Sequence, residues 1–283
     1  MDGEFLLAVP YPVIDPVLVN IGPLPIRWYA LAYISGILLG WRYILDLMKT
    51  ERLWGGRRPQ LTALQLDDLI LWITLGIILG GRMGHVLFYT PQIILADPLE
   101  ILMVWHGGMS FHGGALGVFM ATLMFALRSR LDLYQLGDLI CAASPLGLLF
   151  GRLANFIKPE LWGRVTEVPW AMVFPGAGPL PRHPSQLYEA ALEGLVLFLI
   201  LRWGTHGARL LQKRGVIAGL FFLGYGLIRV ALENVREPDE GMPDFPLGLT
   251  MGMILSLPMI LGGSWLIWRG LREEIPATGH GPA

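Results

Sequence analysis

Seven apolar runs, each about the length of a membrane-spanning helix, dominate the sequence. A spanning helix needs about 20 mostly apolar residues. The runs cover residues 27–48, 65–89, 110–128, 135–157, 185–204, 215–234 and 246–268. Charged residues make up only 15% of the chain, whereas a soluble domain contains about 25%. The sequence therefore predicts an all-α polytopic membrane protein with about seven transmembrane helices.

The basic residues favour one orientation of these helices. With the N-terminus outside, most Lys and Arg residues fall in cytoplasmic segments, as is typical of membrane proteins. The cytoplasmic set is Lys49, Arg52, Arg57, Arg58, Arg128, Arg130, Arg202, Arg209, Lys213, Arg214, Arg269 and Arg272. The outer set is Lys158, Arg164, Arg182 and Arg236. We therefore expect the N-terminus outside and the C-terminus inside.

The chain is predicted to form one transmembrane domain over residues 1–272, followed by a flexible tail over 273–283. Residues 1–25 are rich in proline, and we interpret them as an extracytoplasmic arm with a short interfacial helix. The first residues lack the positive region of a cleaved signal peptide. Glycines recur at four-residue spacing, as in 76/80/84 and 113/117. That spacing favours close helix packing in lipid.

Polar side chains gather toward the predicted outer ends of several helices. They are Tyr29, Arg82, His112, Arg152, Asn155, Glu160, Tyr225, Arg229 and Glu233. The last three lie four residues apart, so they share one face of the sixth helix. An ionisable residue within a membrane indicates a functional site.

Arg152 and Arg229 are candidates for binding an anion. A guanidinium group offers a fork of donors that matches phosphate oxygens, and a phospholipid phosphate lies at this depth. The alternative is internal ion pairing, of Arg229 with Glu233 and of Arg152 with Glu160. Such pairs would only join helices.

His112 is a candidate general base, because histidine titrates near neutral pH. A structural, hydrogen-bonded histidine is the equal alternative. Ser110 beside it suggests an intramembrane protease only weakly, since no nucleophile elbow is present. Cys141 is the single cysteine, which excludes an internal disulfide. No spacing typical of a metal site occurs, and a net charge of −1 gives no reason to expect nucleic acid binding.

Four motifs point to one family. They are GRLANFIKPELWGR at 151–164, WHGGMSFHGG at 105–114, RHPSQLYE at 182–189 and the Tyr225–Arg229–Glu233 helix. Together they resemble the bacterial prolipoprotein diacylglyceryl transferases, and the resemblance extends over nearly the whole chain. One departure is Lys158-Pro159, where the family usually shows Asn-Gly.

The resemblance implies a multi-pass enzyme of the bacterial cytoplasmic (inner) membrane, with its active site toward the extracytoplasmic face. Its reaction would transfer the sn-1,2-diacylglyceryl group of phosphatidylglycerol to the lipobox cysteine of a prolipoprotein signal peptide. A thioether forms and glycerol 1-phosphate leaves, as the first step of lipoprotein maturation. The implied partners are these substrates and membrane lipid, with no nucleic acid, no metal and no organic cofactor.

The resemblance also assigns roles to residues of the 1–272 domain. His112 would be the base, and Arg152 and Arg229 would clamp the phosphate. The expected substrate-binding residues are Tyr29, Arg82, Asn155, Glu160, Gly163, Tyr225 and Glu233. Among these we expect Asn155 to bind the headgroup, Glu160 to orient an arginine and Gly163 to allow close backbone approach.

Two other classes of protein remain open at this point. A transporter or flippase for an anionic lipid or metabolite would use the same arginines, but it would need a polar path to the inner face. A non-catalytic membrane scaffold would not need His112 and the arginines gathered on one face.

Overall fold

The structure is a computed structural model that describes residues 9–56, 59–238 and 245–273. Most of these residues are helical, and the chain forms two compact units. The larger unit comprises Met1–Gly55 and Asp138–Ala283, and the smaller unit comprises Gly56–Gly137. Residues 1–8 of the predicted arm, the predicted cytoplasmic Arg57 and Arg58, and residues 274–283 of the predicted tail lie outside the described residues. The single domain over 1–272 stays a prediction.

In the larger unit, the described part of the arm is extended rather than helical. Strands β2 (Val17–Ile21) and β3 (Leu24–Arg27) form an antiparallel hairpin. The short strand β1 (Val9–Pro10) pairs in parallel with β4 (Met172–Val173). The interfacial helix expected in the arm is therefore wrong for residues 9–25. Prolines and β-branched residues favour extended backbone over helix here.

Among the described residues of the larger unit, six α-helices follow the arm. They are α1 (Trp28–Lys49), α5 (Leu133–Ile157), which begins in the smaller unit, α6 (Ser185–Glu189), α7 (Leu197–Arg202), α8 (Val216–Leu232) and α9 (Met251–Arg272). Glycines set the close contacts between them. A Cβ on Gly36 of α1 would lie 3.0 Å from the Cα of Gly147 in α5, and one on Gly219 of α8 would lie 2.8 Å from the carbonyl oxygen of Gly263 in α9.

The fifth predicted run does not form a regular α-helix. Wider π-type turns over Ala190–Val196 and Trp203–Gly207 follow α6 and α7. Gly194 lies within the first of these turns, where a Cβ would come 2.7 Å from the Cα of Leu149. Such turns are often found at functional sites, and this one carries the buried Glu193.

In the smaller unit, α2 (Ala63–Phe88) packs along α4 (Phe111–Ser129). Thr62 and Gln65 form a capping box at the start of α2, which satisfies backbone donors of the first turn. Between the two helices lie the short helix α3 (Ile93–Ala96) and two 3-10 turns, Pro98–Leu102 and Val104–His106.

The repeated glycines of the smaller unit lie where its two long helices meet. A Cβ on Gly76 would lie 2.5 Å from the carbonyl oxygen of Gly117, and one on Gly84 would lie 2.8 Å from the Cα of Gly113. The spacing of these glycines in the sequence thus corresponds to backbone-to-backbone packing of α2 on α4.

Within the described residues, five helices are long and apolar enough to cross a membrane. They are Trp28–Lys49, Ala63–Phe88, Phe111–Ser129, Leu133–Ile157 and Met251–Arg272. The prediction of a polytopic, mainly helical membrane protein is confirmed at this level. The predicted sixth run corresponds to the shorter helix α8, of 17 residues. The total of seven spans and the orientation stay predictions.

Candidate functional site

Arg152 lies on α5 and contacts two buried glutamates. Its Nε and Nη2 atoms donate to Glu193 Oε2 at 3.2 and 3.1 Å, and its Nη1 atom lies 3.2 Å from Glu189 Oε2. Glu189 and Glu193 are four residues apart, so they face the same side of their helix. The pair predicted between Arg152 and Glu160 is therefore replaced by two pairs with the fifth helical segment.

Glu189 also joins two further arginines. Its Oε1 atom accepts a hydrogen bond from Arg236 Nη1 at 3.0 Å and lies 3.6 Å from Arg229 Nη1. Arg229 Nη2 lies 2.8 Å from Glu233 Oε2, which is the pair expected from their spacing on α8. We call Arg152, Glu189, Glu193, Arg229, Glu233 and Arg236 the arginine–glutamate cluster.

Burial differs between the two kinds of residue in this cluster. The side chains of Glu189 and Glu193 are 0% exposed, whereas those of Arg152 and Arg229 are each 15% exposed. Glu189 and Glu193 are therefore fully buried, whereas part of each of these two arginine side chains is accessible. Three arginines and three glutamates balance in charge, which lowers the cost of burying them.

Glu233 depends on a glycine of the neighbouring helix for its place. A Cβ on Gly252 of α9 would lie 2.6 Å from Glu233 Oε2, so the carboxylate rests directly on this glycine. Tyr225, two turns before Glu233 on α8, is buried and stacks on Phe221. Only a residue without a side chain leaves room for the carboxylate here.

Tyr29, Asn155 and Glu160 form a chain of hydrogen bonds at the end of α5. Asn155 Nδ2 donates to Tyr29 Oη at 3.2 Å and to Glu160 Oε1 at 2.8 Å. Lys158 Nζ lies 2.7 Å from Glu160 Oε2 and 5.8 Å from the centre of the Tyr29 ring. Glu160 thus pairs with a lysine and an asparagine, not with an arginine as expected. The unusual Lys158 extends this chain.

Gly163 lies where three backbone segments meet. Its N–H donates to the carbonyl oxygen of His183 at 2.9 Å, and a Cβ would lie 2.5 Å from the carbonyl oxygen of Val235. The close backbone approach expected at Gly163 is therefore to the segments that contain His183 and Val235. Burial lowers the pKa of His183 below its ordinary value.

Beside Gly163, the first turn of α6 is tied to the end of the GRLANFIKPELWGR motif. Gln186 Nε2 donates to the carbonyl oxygen of Glu160 at 2.7 Å, and Ser185 Oγ donates to that of Leu161 at 3.0 Å. These bonds fix the start of the helical segment that carries the two buried glutamates.

In the smaller unit, Arg82 is buried and bonded to the segment before α4. Its Nε atom donates to the carbonyl oxygen of Ile101 at 3.1 Å, and its Nη1 atom donates to that of Gly107. Its Nη2 atom donates to the carbonyl oxygen of Glu100 and lies 3.4 Å from Glu100 Oε1. Each nitrogen of the guanidinium therefore has a partner in this segment.

His112 lies in the first turn of α4 and is exposed. Ser110 caps this helix by accepting a hydrogen bond from the N–H of Gly113 at 3.2 Å. The position of Ser110 is therefore explained by helix capping, and no protease activity is needed to explain it. Cys141 is buried in α5.

The larger unit brings together most of the residues predicted for the site. Arg152, Arg229 and Glu233 share one cluster, and Tyr29, Asn155 and Glu160 share one hydrogen-bond chain. Sequence reasoning missed Glu189, Glu193 and Arg236 as members. Glu189 ends the RHPSQLYE motif and Glu193 follows it by one turn, so their four-residue spacing was the available signal. Among the residues described, no group of His, Cys, Asp or Glu could hold a metal ion.

Comparison with known proteins decides the family. The family model for prolipoprotein diacylglyceryl transferase matches residues 16–269. The chain belongs to the prolipoprotein diacylglyceryl transferase family. Among its relatives, the phosphatidylglycerol–prolipoprotein diacylglyceryl transferase of Phenylobacterium zucineum is 62% identical over 279 residues, which cover 95% of this chain and 96% of that protein.

Other members of the prolipoprotein diacylglyceryl transferase family are similar over the same length. The protein of the same name from Caulobacter vibrioides is 55% identical, with 96% of this chain and 99% of the relative covered. That from Methylocella silvestris is 54% identical, with 95% and 99% covered. The resemblance expected from the motifs is thereby confirmed.

Proposed function

We propose that this chain transfers the diacylglyceryl group of phosphatidylglycerol to the thiol of a prolipoprotein, as the names of its relatives describe for those proteins. The substrate thiol would be the lipobox cysteine of the signal peptide. The sulfur of this cysteine forms a bond to the carbon of the diacylglyceryl group that carries the phosphate. The carbon–oxygen bond to phosphate breaks, glycerol 1-phosphate leaves with that electron pair, and the thiol proton passes to a base.

The observation that carries the proposal is the pairing of accessible arginines with buried glutamates inside an apolar helical unit. Arg152 and Arg229 each have a partly exposed side chain. In the described part of the chain, Arg229 Nη1 is buried and makes no hydrogen bond, but it lies 3.6 Å from Glu189 Oε1, its ion-pair partner. We infer that a phosphate oxygen approaches the exposed part of the Arg152 and Arg229 side chains, because a guanidinium group is suited to binding phosphate.

The arginines would act mainly in the transition state. The phosphate begins as a diester with one negative charge and leaves as a monoester that approaches two. Because negative charge grows on the leaving oxygen, cations held there before the reaction stabilise the transition state more than the bound substrate. Arg152 and Arg229 are therefore the phosphate clamp in this proposal.

His112 is the proposed proton acceptor. A thiol with a pKa of about 8.5 is mostly protonated at neutral pH, so the reaction needs a base. A neutral imidazole can serve, and the exposed ring of His112 is free to meet a substrate. Its position in the first turn of α4 is fixed by the cap that Ser110 provides.

The remaining predicted residues would hold substrate or hold the clamp. Tyr29, Asn155 and Glu160 would bind the glycerol headgroup through their shared hydrogen bonds. Tyr225 and Glu233 would orient Arg229 from the same helix. We assign Arg82 to holding the segment before α4, because its nitrogens are bonded there.

We place the chain in the bacterial inner membrane as a multi-pass protein, with these residues toward the extracytoplasmic face. Its partners would be phosphatidylglycerol, prolipoprotein signal peptides and membrane lipid. The chemistry uses the substrate's own thiol, so it calls for no metal or organic cofactor. Nothing in the charge balance favours nucleic acid.

The test uses the full chain purified in detergent, with phosphatidylglycerol and a lipobox peptide. Mass spectrometry of the peptide should show the gain of one diacylglyceryl group, and a peptide with Cys→Ser should show none. No gain with a folded, lipid-binding protein would contradict the proposal. Transbilayer movement of lipid in that case would favour the transporter class instead.

A further inference from the structure

Glu193 has the geometry of a residue that holds an arginine of the protein and does not itself contact the substrate. Its side chain is 0% exposed, so a substrate cannot reach it. One carboxylate oxygen, Oε2, accepts from both Nε and Nη2 of Arg152. Both donors of this edge of the guanidinium converge on one charged acceptor, which fixes where that edge lies.

The fold brings Glu193 to this place through the π-type turn over Ala190–Val196. Gly194 lets the turn approach the backbone of α5 at Leu149, one turn before Arg152. Glu189 holds the Nη1 atom of the same guanidinium. Arg152 is therefore held at two edges by buried carboxylates.

We propose that Glu193 is a positioning residue for the transfer reaction, which fixes the Arg152 guanidinium where charge develops on the leaving phosphate. This inference rests on the proposed function.

The positioning role of Glu193 predicts a particular kinetic pattern. Without the negative charge of Glu193, Arg152 attracts the phosphate of the bound lipid at least as well as before. The loss should then appear in kcat and not in KM, because a loosely held guanidinium no longer meets the transition state.

The experiment compares Glu193→Gln with wild type in the peptide-transfer assay with phosphatidylglycerol. Glutamine keeps the size and one acceptor oxygen but removes the charge. We expect kcat to fall about tenfold or more and KM for phosphatidylglycerol to change less than about threefold. Glu167→Gln, the same change at an exposed residue of the larger unit, should keep wild-type kinetics.

Two further variants separate positioning from stability. Glu193→Asp keeps the charge one methylene further away, so kcat should lie between those of wild type and Glu193→Gln. This variant carries the test if the glutamine variant does not fold. In an Arg152→Lys background, Glu193→Gln should have little further effect on kcat, because lysine has no guanidinium edge to hold.

Wild-type kcat in Glu193→Gln, or an equal fall in kcat in both backgrounds, would overturn the inference and leave the transferase proposal standing. A raised KM with unchanged kcat would overturn it as well. Failure of the wild-type protein to modify the peptide would overturn the proposed function, and this inference with it.

Discussion

Arg152 and Arg229 show what it takes to keep a charged side chain inside an apolar helical unit. Removing an ion from water costs several kcal/mol even after relaxation, and each arginine is compensated by at least one glutamate within 3.6 Å. A buried ion pair is weak evidence of added stability. We therefore propose that the cluster is kept for what its partly exposed arginine side chains bind.

At the same scale, Gly163 gives a test of close backbone approach. Gly163→Ala would place a methyl group against the carbonyl oxygen of Val235 and the side chain of His183. We expect a loss of about 1–3 kcal/mol in stability, as for other overpacked sites. The measurement is the melting temperature in detergent.

Gly262→Ala is the matched control, because a Cβ at Gly262 in α9 meets nothing within 4 Å. That variant should melt at or above the wild-type temperature, since alanine favours helix over glycine. An equal melting temperature for Gly163→Ala and wild type would show that the segments around Gly163 can move apart freely.

Residue types and spacing predicted several positions that the structure brings together, but not all of their partners. The four-residue spacing of Arg229 and Glu233 was enough to predict their pair. Arg152 was assigned the wrong glutamate, because Glu160 is near in sequence whereas Glu189 and Glu193 come from a separate helical segment. Contacts between distant segments depend on packing that no local pattern encodes.

Among the elements, α2 and α4 show how glycine spacing determines a helix pair. Gly76, Gly80 and Gly84 face Gly113 and Gly117, so the two backbones touch. The spacing alone was enough to predict close packing of helices, because small residues four apart form one smooth helix face. Which glycine faces which was beyond the sequence.

Gly117→Ala tests this pair of helices. A Cβ at Gly117 would overlap the backbone of Gly76, so α2 and α4 must separate and the variant should melt several degrees below wild type. Gly114→Ala, on the same helix, meets only one atom at 3.8 Å and should melt close to wild type. Equal melting of the two variants would contradict the packing described for the smaller unit.

The elements that differ from expectation have identifiable causes. Apolar length predicted a regular helix over 185–204, but π-type turns interrupt it where Gly194 packs on α5 and Glu193 faces Arg152. The arm is extended because its prolines and β-branched residues favour strands. In both regions tertiary contacts or local backbone limits outweigh the simple hydrophobic pattern.

For the whole molecule, composition and apolar runs were sufficient to predict a polytopic helical membrane protein. The motifs were sufficient for the family, which the match over residues 16–269 confirms. Neither the composition nor the motifs predict the charge balance of the arginine–glutamate cluster. That balance arises only when three separate stretches of the chain come together. We propose that the arginines of this cluster stabilise the leaving phosphate during diacylglyceryl transfer.

The most direct test is the rate of transfer by Arg152→Ala with saturating phosphatidylglycerol and lipobox peptide. Arg42→Ala is the control, because Arg42 lies in α1 as an exposed arginine outside the cluster. We predict that Arg152→Ala lowers kcat about a hundredfold or more, while the protein stays folded and Arg42→Ala keeps the wild-type rate. A folded Arg152→Ala protein that modifies the peptide at the wild-type rate would contradict the claim.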